Sequence, residues 1–185
     1  MSNVRQEIYD KIIGYKEHNE NDNIYYKEII KKKLIDNSKI IYAINNNDLD
    51  QDCPADYIGE NILPYYLIVD TQTKAQNYIC FETAFDEVPK YNKVMKYGKL
   101  IFYIICDNKE IFDKSSGIAR HDLLAALIID EFNWTNMFGT QIHLVSDKAV
   151  AVDNHYVGRT LIFEQTTPNY IIKDNNVINK SGGWK

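Results

Sequence analysis

Hydrophobic positions change their period along this chain. Residues 3–17 place Val4, Ile8, Ile12 and Ile13 at helical spacing with polar residues between them, which predicts an amphipathic helix. "EHNENDN" (17–23) breaks that pattern. A second helix is predicted over 24–35, with Tyr25, Ile29, Ile30 and Leu34 as its apolar side. The run Lys31, Lys32 and Lys33 falls at its end, where cations suit the negative pole of the helix dipole. Ser38 stands in a capping position before a short third helix, "SKIIYAINN". An acidic, Asn-rich loop follows over 45–60.

Beyond this loop the pattern becomes strand-like. "NILPYYLIVD" (61–70) reads as a strand after Pro64. "NYICFETAFDE" (77–87) alternates, with Ile79, Phe81, Thr83 and Phe85 on one side and Tyr78, Cys80, Glu82 and Ala84 on the other. "KLIFYIICD" (99–107) is apolar on both sides, which predicts a central strand covered on both faces. The linker 88–98 between these two is long for a hairpin. The helical period then returns over 117–134, "GIARHDLLAALIIDEFNW". Ser115 or Ser116 is placed to cap it, and Gly139 lies just beyond it. "QIHLVSDKAVAV" (141–152) and "GRTLIFEQ" (158–165) read as the last two strands. Helices, three strands, one long helix and two strands, joined by short connections, predict an α+β fold. Its sheet is mixed but largely antiparallel, has about five strands and is flanked by helices, with the long helix between strands three and four. The organisation expected is an N-terminal helix and linker (1–23), one α+β domain (24–168) and a C-terminal extension (169–185).

Composition narrows the picture. With 185 residues and 45% hydrophobic positions, the chain can bury a core without disulfides. Its three cysteines, Cys53, Cys80 and Cys106, show no paired spacing, and two lie in strand-like runs where a thiol packs as a small hydrophobe. A net charge of −5 gives no reason to expect general binding to nucleic acid or membranes. No stretch has the apolar length of a membrane span, and the N-terminus lacks the apolar core of a signal peptide.

The one cluster that raises enzymatic chemistry is the doublet His121-Asp122. Such a doublet is similar to the centre of the metal-dependent phosphohydrolases that carry a His-Asp pair, and it defines an alternative reading as a metal-dependent hydrolase. That chemistry needs an earlier histidine and a later aspartate that meet the doublet on neighbouring helices. The only earlier histidine is His18, in a polar loop. Asp130 and Glu131 turn away from His121, and His143 and His155 lie on or beside strands. At about 3.6 residues per turn His121 shares a side with Leu124, Ala125, Ile128 and Phe132. The expectation is a packed, hydrogen-bonded histidine. Leu123, Leu127 and Trp134 fall on a second apolar side, so the helix is expected to be covered from two directions. Glycine loops for phosphate and Gly-x-Ser-x-Gly are missing, and an acid pair forced onto Asp70 and Glu82 lacks the following lysine of the nuclease pattern. No catalytic, cofactor or metal residue is assigned.

The order of elements, together with "LIVDTQTKAQNYICFE", "IARHDLLAALIIDEFNW" and "VGRTLIFEQTTPN", resembles the tail terminators of long, non-contractile-tailed bacteriophages, also called tail completion or tail-to-head joining proteins. The resemblance covers roughly residues 24–168. It implies an α+β virion protein without catalysis or cofactor. Such a protein forms a hexameric ring that caps the tail tube and faces the head connector, in the host cytoplasm during assembly and in the virion afterwards. Its partners would be further copies of itself, the tail tube protein and a head connector or neck protein, with genome DNA passing through the channel without sequence reading. A second structural reading is another neck protein, a head-closure or adaptor component. Within the ring reading, Lys90, Lys93, Lys96 and Lys99 are candidates to face the DNA channel, with a solvated hairpin as the equal alternative. The apolar clusters of 169–185, with Tyr170, Ile172 and Trp184 foremost, are candidates for an arm that docks on a neighbouring subunit. The alternative is an arm folded back on its own domain.

Overall fold

The computed structural model describes residues 2–17, 22–66, 76–85 and 94–168. Three helices come first: α1 (Ser2–Glu17), α2 (Asp22–Asp36) and α3 (Ser38–Ile44). A short 3-10 turn (Pro54–Tyr57) precedes β1 (Ile62–Leu63). Then come β2 (Tyr78–Phe85), β3 (Met95–Asp107), α4 (Arg120–Phe132), β4 (His143–Ala151) and β5 (Tyr156–Pro168). The five strands form one mixed sheet in the order β1-β2-β3-β5-β4. Only β1 with β2 is parallel; the other three pairings are antiparallel. The α+β class and the position of the long helix, between the third and fourth strands, are as the sequence predicts.

Alternation decides which side of each strand is covered. Ile79 and Phe81 of β2, Leu100, Phe102, Ile104 and Cys106 of β3, and Leu161 and Phe163 of β5 point to one face, under the helices. Phe102 sits at the centre of that core, with ring centroids 5.0 Å from Phe132, 5.9 Å from Phe163 and 6.1 Å from Phe81. Ile30 and Leu34 of α2 and Ile40, Ile41 and Ile44 of α3 complete it. The opposite face holds a second, smaller cluster: Leu63, Tyr78, Cys80, Ile105 and Tyr156. The two-sided apolar character of "KLIFYIICD" therefore has two causes. One side of β3 meets the helices, and its C-terminal end also joins the smaller cluster. Both buried cysteines pack as free thiols, and burial pushes the Cys106 thiol up to about 12.

Several local expectations are corrected. Asn37, not Ser38, caps α3: its side-chain oxygen accepts from the backbone N–H groups of Lys39 and Ile40. Ser115 and Ser116 do not cap α4, which starts after Ala119 with no side-chain cap. They donate instead to Asp113. Gly139 is not the stop of α4; the helix ends at Asn133, and Trp134 takes the left-handed conformation at φ 61°. β3 begins at Met95, so Lys96 belongs to a strand with Lys99 and not to the linker before it.

Gly158 shows why β3 and β5 lie so close. A Cβ built there would stand 2.1 Å from the carbonyl oxygen of Ile104, so a side chain at this point of the central pairing has no space.

Candidate functional site

Helix α4 is the element around which the polar groups of the molecule are arranged. Its first residue, Arg120, is only 4% exposed. The guanidinium donates from Nε to the carbonyl of Glu110 at 3.0 Å and from Nη1 to the carbonyl of Ala43 at 3.3 Å, while Nη2 lies 3.5 Å from Asp113 Oδ1. Ala43 is in the last turn of α3, so the cation fills an otherwise open carbonyl at the negative end of that helix. Asp113 is buried as well and accepts from the hydroxyls of Ser115 and Ser116, the backbone N–H of Ser116 and the hydroxyl of Tyr42. The Ser115 and Ser116 hydrogen bonds hold its carboxyl well below the usual carboxylate range, against the opposing effect of burial. This knot fixes the 108–119 loop, which joins β3 to α4, against the end of α3.

The His-Asp doublet follows Arg120 directly. Asp122 Oδ1 accepts from Arg159 of β5 at 2.5 Å, and Arg159 also donates to Asp147 of β4 at 2.8 Å. These two carboxylates hold the guanidinium above its ordinary pKa. His121 is partly buried. Its Nε2 lies 3.4 Å from Asp122 Oδ1, and its Nδ1 is buried without a hydrogen-bond partner, so the expected satisfied histidine is only half realised. Among the described residues no group of three or more His, Cys, Asp or Glu side chains is arranged to hold a metal ion. Asp122 works as an ionic clasp between α4 and the β4–β5 hairpin.

A third polar centre lies beside the first, at the start of β2 and the end of β3. Asn46 donates to Asn61 at 2.7 Å, Asn61 to the carbonyl of Asn77 at 2.9 Å, and Asn77 to the carbonyl of Ile44 at 2.8 Å. All three are buried. They line or back a polar cleft of about 200 Å³ whose rim includes Asp48, Asp107 and Glu110. The sequence reading missed Arg120, Asp113 and this amide chain. Only the turn "DKSSG", with Gly117 at φ 70°, signalled that Asp113 is enclosed by its own loop.

The lysines proposed from sequence separate. Lys96 is 3% exposed, with its ammonium 5.1 Å from the centre of the Phe85 ring. Lys99 pairs with Glu164 at 3.6 Å. Burial of the one and pairing of the other remove both from an open basic patch. Lys90, Lys93, Tyr170, Ile172 and Trp184 lie outside the described residues. The lysine run at the end of α2 is a network of contacts: Lys31 bonds Glu28, and Lys33 reaches Glu131 of α4 at 3.0 Å.

No helix among the described residues is long and apolar enough to cross a membrane. No curated protein matches the chain. A family model does: the one described as YomW, over residues 10–165, from late in α1 to near the end of β5. The chain belongs to the YomW family, a phage-associated family.

Proposed function

We propose that this protein is a structural component of a phage virion and, more specifically, a tail terminator that closes the finished tail tube as a ring and joins it to the head connector. The observation that carries the reading is the phage-associated family, matched across the whole α+β body. The arrangement of α4 supports it: Arg120 ties it to α3, Asp122 to Arg159 of β5 and Glu131 to Lys33 of α2, in keeping with a building block. The ring is expected to be hexameric, assembled from a soluble precursor, because cyclic closure ends growth where an open contact would extend it. Its neighbours would be the tail tube protein on one side and a head connector or neck protein on the other, with DNA passing through the channel.

The test is genetic and visual. Disrupting the gene in the phage and imaging the lysate by negative-stain electron microscopy should reveal filled heads beside unjoined tails of abnormal length. Tails of normal length that merely fail to bind heads would move the protein to the connector side of the joint.

A further inference from the structure

Helix α1 has an apolar stripe that the described part of its own chain leaves open. Val4, Ile8, Tyr9 and Ile12 are 62%, 55%, 59% and 53% exposed, and only residues 13–15, near the junction with α2, are partly covered. An isolated helix of about this length is marginal in water, and its stability ordinarily comes from packing an amphipathic face. Something outside the described body is therefore expected to cover this one.

The charges of α1 indicate what. At about 3.6 residues per turn, Lys11 borders the stripe, Arg5 and Lys16 fall between Ile12 and Tyr9, Asp10 and Glu17 lie on the far side, and Glu7 lies beyond Lys11. Two α1 helices packed stripe to stripe would set cations against cations, an arrangement that like-charge repulsion disfavours. The complementary surface lies elsewhere in the same chain. Asp48, Asp50, Asp52, Asp56 and Glu60 are all exposed, and the segment 45–61 contains no lysine or arginine. Tyr65 and Tyr66, about half exposed, follow directly and supply apolar ground beside the acids.

We propose that α1 of one copy docks across the acidic 48–60 loop of the next copy, stripe toward the tyrosines and cations toward the carboxylates. The two surfaces differ, so the contact is heterologous and repeats from subunit to subunit, closing into a ring when the rotation allows. This deepens the ring reading of the preceding subsection, on which it rests, by naming its lateral contact.

Cys53 makes the contact measurable, because it lies in the acidic loop and is exposed while Cys80 and Cys106 are buried. Gln6→Cys places a thiol on α1 just outside the stripe. The full-length variant, treated with a short thiol–thiol cross-linker, should give a ladder of covalent species beyond the dimer. The unmodified chain reports any Cys53–Cys53 link. Adding Cys53→Ser should abolish the ladder. Lys11→Glu with Lys16→Glu should reduce it by about tenfold, as should high salt. Adding Asp52→Lys with Asp56→Lys to that charge-reversed chain should restore it. Dimers that survive Cys53→Ser would mean α1 pairs with α1, and a link closed within one chain would mean α1 folds onto its own loop. Either outcome, or no cross-link at millimolar protein, overturns the proposal. The two readings fail separately. A ladder with normal joined tails after gene loss removes the ring function and leaves the contact. Abnormal unjoined tails without a ladder do the reverse.

Discussion

Helices α1 and α4 look alike as sequence and differ in almost everything else. Both carry apolar residues at helical spacing. Yet α4 has Leu124, Ile128 and Phe132 fully buried against the sheet, with Leu123 and Leu127 partly covered on its other flank. It is tied by Arg120 to α3 and by Asp122 to Arg159. Helix α1 has its main contact with α2 near the junction and leaves its stripe open. The difference teaches that periodicity reveals a face and not what covers it. The cover has to come from elements distant in sequence or from another chain.

The comparison can be broken most severely at Phe132, whose ring meets both Phe102 and Phe163. Phe132→Ala should lower unfolding free energy by about 4 kcal/mol, read by urea denaturation, because the dense core collapses only partly around the hole. Arg120→Met is the next largest change. It strands a buried carboxylate and two backbone carbonyls and should cost about 3 kcal/mol. If that variant melted like the wild type, the knot would not anchor the 108–119 loop.

Asp113 adds a pH signature to the same anchor. Its folded pKa is depressed, so its stabilisation is present above the unfolded value of about 3.9 and is lost as pH falls toward the folded one. Thermal melts between pH 5 and pH 2 should show a steeper decline for the wild type than for Asp113→Asn, which no longer titrates there.

His121→Leu should be nearly silent, within about 1 kcal/mol, because the buried Nδ1 makes no hydrogen bond that the substitution could remove. Assembly of infectious particles should survive it. Loss of assembly with an unchanged melting temperature would revive the hydrolase reading of the doublet, and elemental analysis for bound metal would decide that. The smallest effect on stability belongs to α1. Ile8→Asp should change the melting temperature of the dilute protein by an amount worth less than about 0.5 kcal/mol, as for an exposed position. A large loss of monomer stability would mean that the stripe packs inside its own chain.

What was legible in the sequence follows the same division. Strand β2 and helix α4 are legible because each keeps one period, and β3 because its long apolar run meets a cluster on each face of the sheet. The class and the place of α4 followed from their order. The caps were misassigned because several hydroxyl and amide side chains stood within one turn of each start. Competition among them is settled by three-dimensional partners: Asn37 reaches Lys39 and Ile40, while Ser115 and Ser116 are held by Asp113. Lys96 read as part of a solvated linker because nothing local to the sequence reveals that its stem packs over Phe85. The buried amide chain was invisible for a related reason. Asn46, Asn61 and Asn77 are far apart in sequence and sit in a composition already rich in asparagine.

The strand order has a consequence for how the chain is made. β4 leaves the ribosome before β5, yet β5 takes the place beside β3, and among the described residues β4 pairs with β5 alone. Until residue 168 has emerged, β3 lacks its longest described partner and β4 lacks the strand it pairs with. β3 thus carries an open edge through the synthesis of about 60 residues, joined by β4 only over the last stretch, a state prone to wrong pairing. The central sheet can close only after translation has passed its last strand. The β3–β5 pairing, which joins residues far apart in sequence, is therefore a late step of folding.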